Sequence, residues 1–271
     1  MAYVIHVLNQ NQWKIDFTGA IFINDKTNLQ SKTLQGWVSE YKATIGWNLA
    51  FFNFDTAANR AKGCANRVLE YTRDSKGITH SYDGGNLTNE RLTLNNGATC
   101  GGWKLAVKDG VQKDFDRSTK RTRNFNGLTT DGRYIHAQST SLVTEKDAIQ
   151  YIINYISTYY NVKIKLLLVQ DAGGSTQFYC SNSKQYVAGE GGRKIPSIVT
   201  ATYIGPKIER TLKQGCKGWD VTLLQQYLGS ILIDGDFGSE TKKRLIKVQK
   251  AIGTKGDGIA GPTTLRLLGL G

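Results

Sequence analysis

The stretch Leu166-Leu167-Leu168-Val169-Gln170-Asp171-Ala172-Gly173-Gly174-Ser175-Thr176-Gln177-Phe178-Tyr179 carries the decisive pattern. A run of apolar residues suits a buried strand. A carboxylate closes it, and two glycines permit a tight turn before hydroxyl residues lead into a second strand. Backbone N–H groups in such a turn can hold an anion or a sugar oxygen, and Asp171 falls where a sheet opens to solvent. A plain Asp-and-glycine hairpin turn is the other reading of the same residues.

Outward from this stretch, residues 1 to about 205 alternate short apolar runs with glycine and asparagine turns. Strands are expected at Ile45–Phe52, Trp103–Val107, Tyr134–Ala137, Ile164–Val169 and Ile198–Thr202. One helix is clear, because Thr144 followed by Asp147 forms a capping box and Ile149, Ile152, Ile153, Ile156 and Tyr160 fall on one face. The expected class is α+β, with a mixed sheet.

The last sixty or so residues repeat. Asp234-Gly235-Asp236-Phe237-Gly238-Ser239-Glu240-Thr241 returns 23 residues later as Asp257-Gly258-Ile259-Ala260-Gly261-Pro262-Thr263-Thr264. Each copy is an Asp-Gly turn followed by a Ser or Pro that opens a helix. Val221, Leu224, Tyr227 and Leu228 share one helical face, and so do Thr241, Leu245, Val248 and Ile252. A three-helix bundle over residues 210–271 is therefore expected beside a larger unit over 1–205.

Of 271 residues, 35 are Lys or Arg and 22 are Asp or Glu, a net charge of +13. Residues 210–271 hold 10 basic and 5 acidic side chains, +5, which leaves +8 on the rest. Charge spread over both parts argues for general attraction to an anionic surface rather than a nucleic-acid patch. The run Arg117, Lys120, Arg121 and Arg123 interleaves with Ser and Thr and reads as a solvated edge. Met1-Ala2-Tyr3-Val4-Ile5-His6-Val7 lacks the features of an export signal, and no segment reaches the ~18 uncharged apolar residues of a membrane span. The chain is expected to be made in a bacterial cytoplasm, without membrane insertion, as a monomer. His6, His80 and His136 and the four cysteines lack ligand-like spacing, and no phosphate loop or dinucleotide fingerprint occurs, so neither metal nor cofactor is expected.

Two resemblances follow from these motifs. Gly215-Cys216-Lys217-Gly218-Trp219-Asp220-Val221, Leu223-Leu224-Gln225, both Asp-Gly-x-x-Gly turns and Val248-Gln249 resemble the peptidoglycan-binding domain type 1. Asp171-Ala172-Gly173-Gly174-Ser175, Asn48-Leu49-Ala50-Phe51-Phe52, Arg123-Asn124-Phe125-Asn126-Gly127 and Arg193-Lys194-Ile195-Pro196-Ser197-Ile198 resemble, in order, motifs of the phosphodiester glycosidase family. Ala172, Leu49 and Ala50 replace glycines of that family.

The resemblance implies a glycosidic cleavage. It makes Asp171 a catalytic carboxyl, Arg123 and Arg193 cations for a departing anion, and Asn48 a further catalytic group. Gly173, Gly174, Ser175, Thr176 and Asp83 would contact substrate. A second carboxylate is sought among Asp55, Asp83, Asp131 and Glu190. Together the two parts imply a phage-type endolysin that cuts an N-acetylamino-sugar linkage of peptidoglycan and meets anionic wall polymers. Hydrolysis of a sugar-1-phosphodiester in a wall polymer, or wall binding without catalysis, are the alternatives.

Overall fold

The computed structural model describes residues 3–19, 29–49, 52–53, 64–65, 67–68, 71–73, 78–80, 90–102, 104–113, 118–229 and 231–271. Its main strands are β1 (Tyr3–Leu8), β2 (Trp13–Gly19), β3 (Ile45–Asn48), β4 (Lys104–Lys108), β5 (Val111–Gln112), β6 (Asn124–Thr129), β7 (Tyr134–Ser139), β8 (Ile164–Val169), β9 (Gln177–Cys180), β10 (Gln185–Ala188) and β11 (Ser197–Tyr203). The helices are α1 (Leu34–Glu40), α2 (Glu145–Tyr160), α3 (Trp219–Leu228), α4 (Ser239–Ala251) and α5 (Pro262–Leu267).

A first sheet has the order β1-β7-β6-β8-β4-β5 and a second β10-β9-β3-β11-β2. The α+β class stands as read. The mixed sheet expected is realised as two sheets whose described pairings are all antiparallel.

Side-chain alternation sorts the first sheet into two faces. Tyr3, Ile5, Val7, Phe125, Ile135, Ala137, Leu167 and Val169 pack with Ala148, Ile149, Ile152 and Ile156 of α2. The neighbouring positions Val4, Leu8, Tyr134, Leu166 and Leu168 belong instead to the core shared with the second sheet. Helix α2 starts where the Thr144 hydroxyl accepts the Asp147 N–H at 3.1 Å and stops at Asn161, whose φ of +51° is left-handed. The second sheet carries α1 on its outer face through Leu34, Trp37 and Val38. A Cβ at Gly46 would lie 2.5 Å from Val38 Cγ2, so glycine is what lets α1 approach β3. The order of layers is α2, first sheet, second sheet, α1.

The repeat forms the helices α3, α4 and α5. In the first copy the buried Gln225 clamps the turn: its Nε2 donates to Asp234 Oδ1 (2.8 Å), Asp236 O (2.9 Å) and Thr241 Oγ1 (3.1 Å), and its Oε1 accepts Gly235 N at 2.8 Å. Gln249 repeats the clamp with Asp257 Oδ1 (2.9 Å), Ile259 O (2.9 Å), Thr264 Oγ1 (3.3 Å) and Gly258 N (2.8 Å). Gly235 and Gly258, at φ of +72° and +74°, supply the bend that each clamp closes.

These helices also pack on the sheets. Leu212, Leu224, Tyr227, Leu228, Leu265 and Leu268 lie in the same apolar cluster as Trp13, Phe178 and Tyr203. Tyr227 stacks on Trp13 with ring centroids 6.3 Å apart, and Asn182 Nδ2 donates to Leu268 O at 2.7 Å. One continuous core predicts one cooperative unfolding transition for the full chain by calorimetry, and loss of a soluble fold when residues 207–271 are removed. Two resolved transitions would contradict it.

Candidate active site

Strand β8 ends at Val169, and the chain crosses from the first sheet to the second through residues 170–176. Asn48, buried at 1% exposure at the end of β3, holds this crossing. Its Nδ2 donates to Asp171 O at 2.8 Å, its Oδ1 accepts Gln177 N at 2.9 Å, and its main-chain oxygen accepts Asn124 Nδ2 at 2.9 Å. Asp171 N donates to Leu49 O at 3.2 Å. Asn48, expected as a catalytic group, spends its carboxamide on backbone and acts as a positioning residue.

Asp171 is buried at 5% exposure. Its Oδ1 accepts Ala172 N at 2.9 Å, whereas Oδ2 has no hydrogen bond and faces Arg193 Nη2 at 3.6 Å. Burial pushes the carboxyl up to about 6, against the opposing pull of Arg193, Ser175 and the Ala172 N–H. Arg193 is held in turn, since its Nε donates to Ser175 Oγ at 2.8 Å and its backbone N to Gly174 O at 3.1 Å.

The glycines carry the other flank. Gly173 has a φ of +63°, and a Cβ there would lie 3.5 Å from Arg121 Nη1 and 3.7 Å from both carboxylate oxygens of Glu190. Glu190 Oε1 accepts Thr122 N at 2.8 Å, and Oε2 pairs with Arg121 Nη1 at 3.3 Å. Gly174 runs along Arg193, 3.7 Å from its Cδ to the Cβ position. The structure thus gathers Asp171, Gly173, Gly174, Ser175 and Arg193, and adds Glu190, one of the four carboxylates considered for the second role. It also adds Arg121, which the basic run had assigned to a solvated edge. Gln177 and Tyr186 steady the loop that bears Arg193: Gln177 Nε2 donates to Arg193 O at 2.6 Å and Tyr186 OH to Gln177 Oε1 at 2.9 Å.

Other expectations are met differently. The N–H groups of Gly173, Ser175 and Thr176 bond to Thr122 O, Ala172 O and Gly173 O. Those three amides are therefore spent within the fold, and Arg121 and Arg193 are the cationic groups beside the turn. Thr176 Oγ1 is buried without a hydrogen-bond partner. Arg123 does not enter the cluster: it is buried, its Nη1 pairs with Glu145 Oε1 at 2.7 Å, and both side chains are 5% exposed or less. That pair fastens the start of α2 to the first sheet, which is why the guanidinium turns away from Asp171. Asp131 sits in the β6–β7 hairpin with Arg133, and β6 pairs Phe125 with Val169 but Thr129 with Ile164. Asp131 is therefore at the far end of the sheet from Asp171. Asp55 and Asp83 lie outside the described residues.

His136 is buried in a stack, 4.2 Å from the Trp47 ring, with its Nδ1 3.3 Å from His6 Nδ1. Burial lowers both imidazoles, His6 to about 3, so both are neutral core groups. Among the described residues no group of three or more His, Cys, Asp or Glu side chains is placed to hold a metal ion. Among the same residues no helix is long and apolar enough to cross a membrane.

Comparison with known proteins divides along the chain. Residues 217–268 match the family model of a putative peptidoglycan binding domain. In fold, the chain is similar to the zebrafish N-acetylglucosamine-1-phosphodiester alpha-N-acetylglucosaminidase catalytic domain auto-inhibited by its pro-peptide, at 9% identity and TM-score 0.49, over 75% of this chain and 89% of that one. It is also similar to a hypothetical protein from Synechocystis, at 9% identity and TM-score 0.50, over 74% of this chain and 59% of that one. At such identities the likeness concerns the fold alone. No curated protein matches the sequence.

Two stability measurements separate the charged groups. Replacing Arg123 by Met leaves Glu145 buried without its cation and is expected to cost about 3–5 kcal/mol, whereas Arg193→Met, half exposed, costs about 1 kcal/mol or less. Asp171 binds its proton more tightly folded than unfolded, so its burial destabilises the protein increasingly as pH rises from about 4 through 6. Asp171→Asn should therefore exceed the parent in urea-unfolding stability at pH 7.5 by roughly 2–3 kcal/mol, with the gap closing near pH 3.5. Equal stabilities at both pH values would contradict the buried carboxyl.

Proposed function

We propose that this chain is a peptidoglycan hydrolase that cleaves a glycosidic linkage of an N-acetylamino sugar. In this reading residues 1–205 carry the catalysis and residues 210–271 hold the wall. The observation that carries it is the buried Asp171 carboxyl, raised to about 6, at the start of a glycine turn whose Gly173 faces the carboxylate of Glu190. Glycosidic cleavage needs one group to protonate the leaving oxygen and another carboxylate to stabilise or attack the anomeric carbon, or to activate water. Near neutral pH a carboxyl with a pKa of about 6 still carries its proton in part, which suits the acid role. Glu190 takes the second role. Ser175 and Thr176, expected to contact substrate, are fully buried beneath the turn, where Ser175 Oγ holds Arg193; Arg193 and Arg121 present cations to the anionic substituents of the wall.

The peptidoglycan-binding domain supports the choice of polymer, since binding there raises the effective substrate concentration at the turn. The motif order around Asn48, Arg123, Asp171 and Arg193 supports a glycosidase rather than an amidase or peptidase. A net charge of +13 adds diffuse attraction to an anionic wall. The reading suits an endolysin made in a bacterial host and released to the wall at lysis. A second reading keeps the site and changes the bond to a sugar-1-phosphodiester of a wall polymer. The two half-exposed arginines beside the turn, Arg121 and Arg193, 57% and 48% exposed at the side chain, favour it. Release of a phosphomonoester together with a reducing end marks that second reaction.

On purified walls, Asp171→Asn and Glu190→Gln are expected to lower the rate of turbidity loss by about 10²-fold or more. The parent rate should fall as pH rises through about 6, where Asp171 loses its proton. A wild-type rate for Asp171→Asn would sink the acid assignment.

A further inference from the structure

We infer that one edge of α2, where Tyr151 and Tyr155 lean on the core of the first sheet and Tyr159 stands exposed, is a second glycan-binding surface, which takes a neutral N-acetylated sugar chain along the row Tyr151, Tyr155 and Tyr159. The choice of ligand rests on the wall-hydrolase reading above. From Ala148 to Tyr160 the helix holds no charged residue, although 21% of the chain is charged. Its inner stripe of Ala148, Ile149, Ile152 and Ile156 is spent on the first sheet. Outside stand Gln150, Asn154, Ser157 and Thr158, all exposed, and Gln150 Nε2 donates to Asn154 Oδ1 at 3.0 Å.

The tyrosines form a continuous ribbon. Ring centroids lie 4.1 Å apart for Tyr3 and Tyr151, 6.4 Å for Tyr151 and Tyr155, and 4.7 Å for Tyr155 and Tyr159. Tyr159 is 38% exposed, and Tyr151 and Tyr155 are partly exposed. Spacing of four residues repeats a ring about every 6 Å along the helix. Tyrosine offers a large amphipathic face at low entropic cost, while Asn, Gln, Ser and Thr supply adaptable hydrogen bonds. Sugar C–H faces stack on such rings, and acetamido and hydroxyl groups match the carboxamides.

Charge selects among wall polymers. An acidic polymer calls for Lys and Arg, and none is present in the row; Arg133 reaches only the far end, 5.1 Å over the Tyr160 ring. A neutral N-acetylated backbone fits a face without charge. The position is also suitable. Helix α2 begins at Glu145, the partner of Arg123, and Arg121 of the candidate active site bridges to Val143 just before it. The helix therefore starts near the catalytic end of the molecule, and the row from Tyr151 to Tyr159 runs away from that end for about 12 Å. A glycan seated at Asp171 can continue onto it.

The test uses the full chain carrying Asp171→Asn, so that ligand is not consumed, with the N-acetylglucosamine hexamer as probe. Calorimetric titration should show Tyr159→Ala weakening hexamer binding by about tenfold, and Tyr159→Phe, which keeps the ring, staying close to the parent. The Tyr155 and Tyr159 ring signals should shift by NMR on adding the hexamer. Parent-like affinity for Tyr159→Ala with an unchanged melting temperature, or unmoved ring signals, overturns the proposal. So does a Tyr159→Ala protein that changes oligomeric state with hexamer affinity intact, because the row then serves self-association. Hexamer binding at the row by a parent chain that leaves walls uncut would refute the hydrolase reading and leave this inference standing; cutting without row binding would do the reverse.

Discussion

The buried carboxamide of Asn48 is the contact on which the candidate site depends. Two sheets must diverge where the chain leaves β8 and enters β9, and divergence exposes backbone groups that neither sheet can satisfy. Asn48 closes that seam by donating to Asp171 O and accepting Gln177 N, one on each side of the glycine turn. Asn124 completes it from the first sheet. An unsatisfied buried group costs about 1–3 kcal/mol, so each partner is fixed as much by what its loss would leave behind as by its own bond. The turn is thereby held rigid enough to bury a carboxyl at its edge.

The chemistry follows from that burial. Asp171 gives one oxygen a backbone donor and leaves the other facing Arg193 across 3.6 Å, too long for a strong pair. Desolvation then outweighs attraction and the proton is held to unusually high pH. A buried carboxyl that costs stability in this way is the kind of group the proposed acid role calls for. Arg123 and Glu145 show the opposite case, a fully buried pair with short contact that anchors a helix and has no open side.

Features set by short-range pattern were legible in the sequence. The strand before Asp171, the glycine turn after it, the capped helix from Thr144 and the repeated Asp-Gly turns each depend on neighbours within a few residues. What escaped was set by distant partners. Arg121 and Arg123 differ by two positions in one basic run, and only the pairing of Glu145 with one and Glu190 with the other separates their roles. Gln225 and Gln249 stand in the quoted motifs, but their clamping of the Asp-Gly turns eight or more residues downstream is visible only once the turns are placed beneath them. The antiparallel pairings differ from the mixed sheet expected for the same reason, since apolar runs do not record their partners. The packing of Tyr227 on Trp13 joins residues more than two hundred positions apart, and no local pattern announces it.

That packing changes how the two parts work together. Under the proposed function, residues 217–268, which match a putative peptidoglycan binding domain and pack on the core of the sheets, would aim the Asp171 turn in a fixed direction relative to the polymer. Mass spectrometry of teichoic-acid-free peptidoglycan digested by the purified chain tests the account most directly. Glycosidic cleavage gives fragments with new sugar reducing ends and intact stem peptides. Fragments cut only in the peptide or at the amide joining it to the glycan, or no soluble fragments at all, would contradict it.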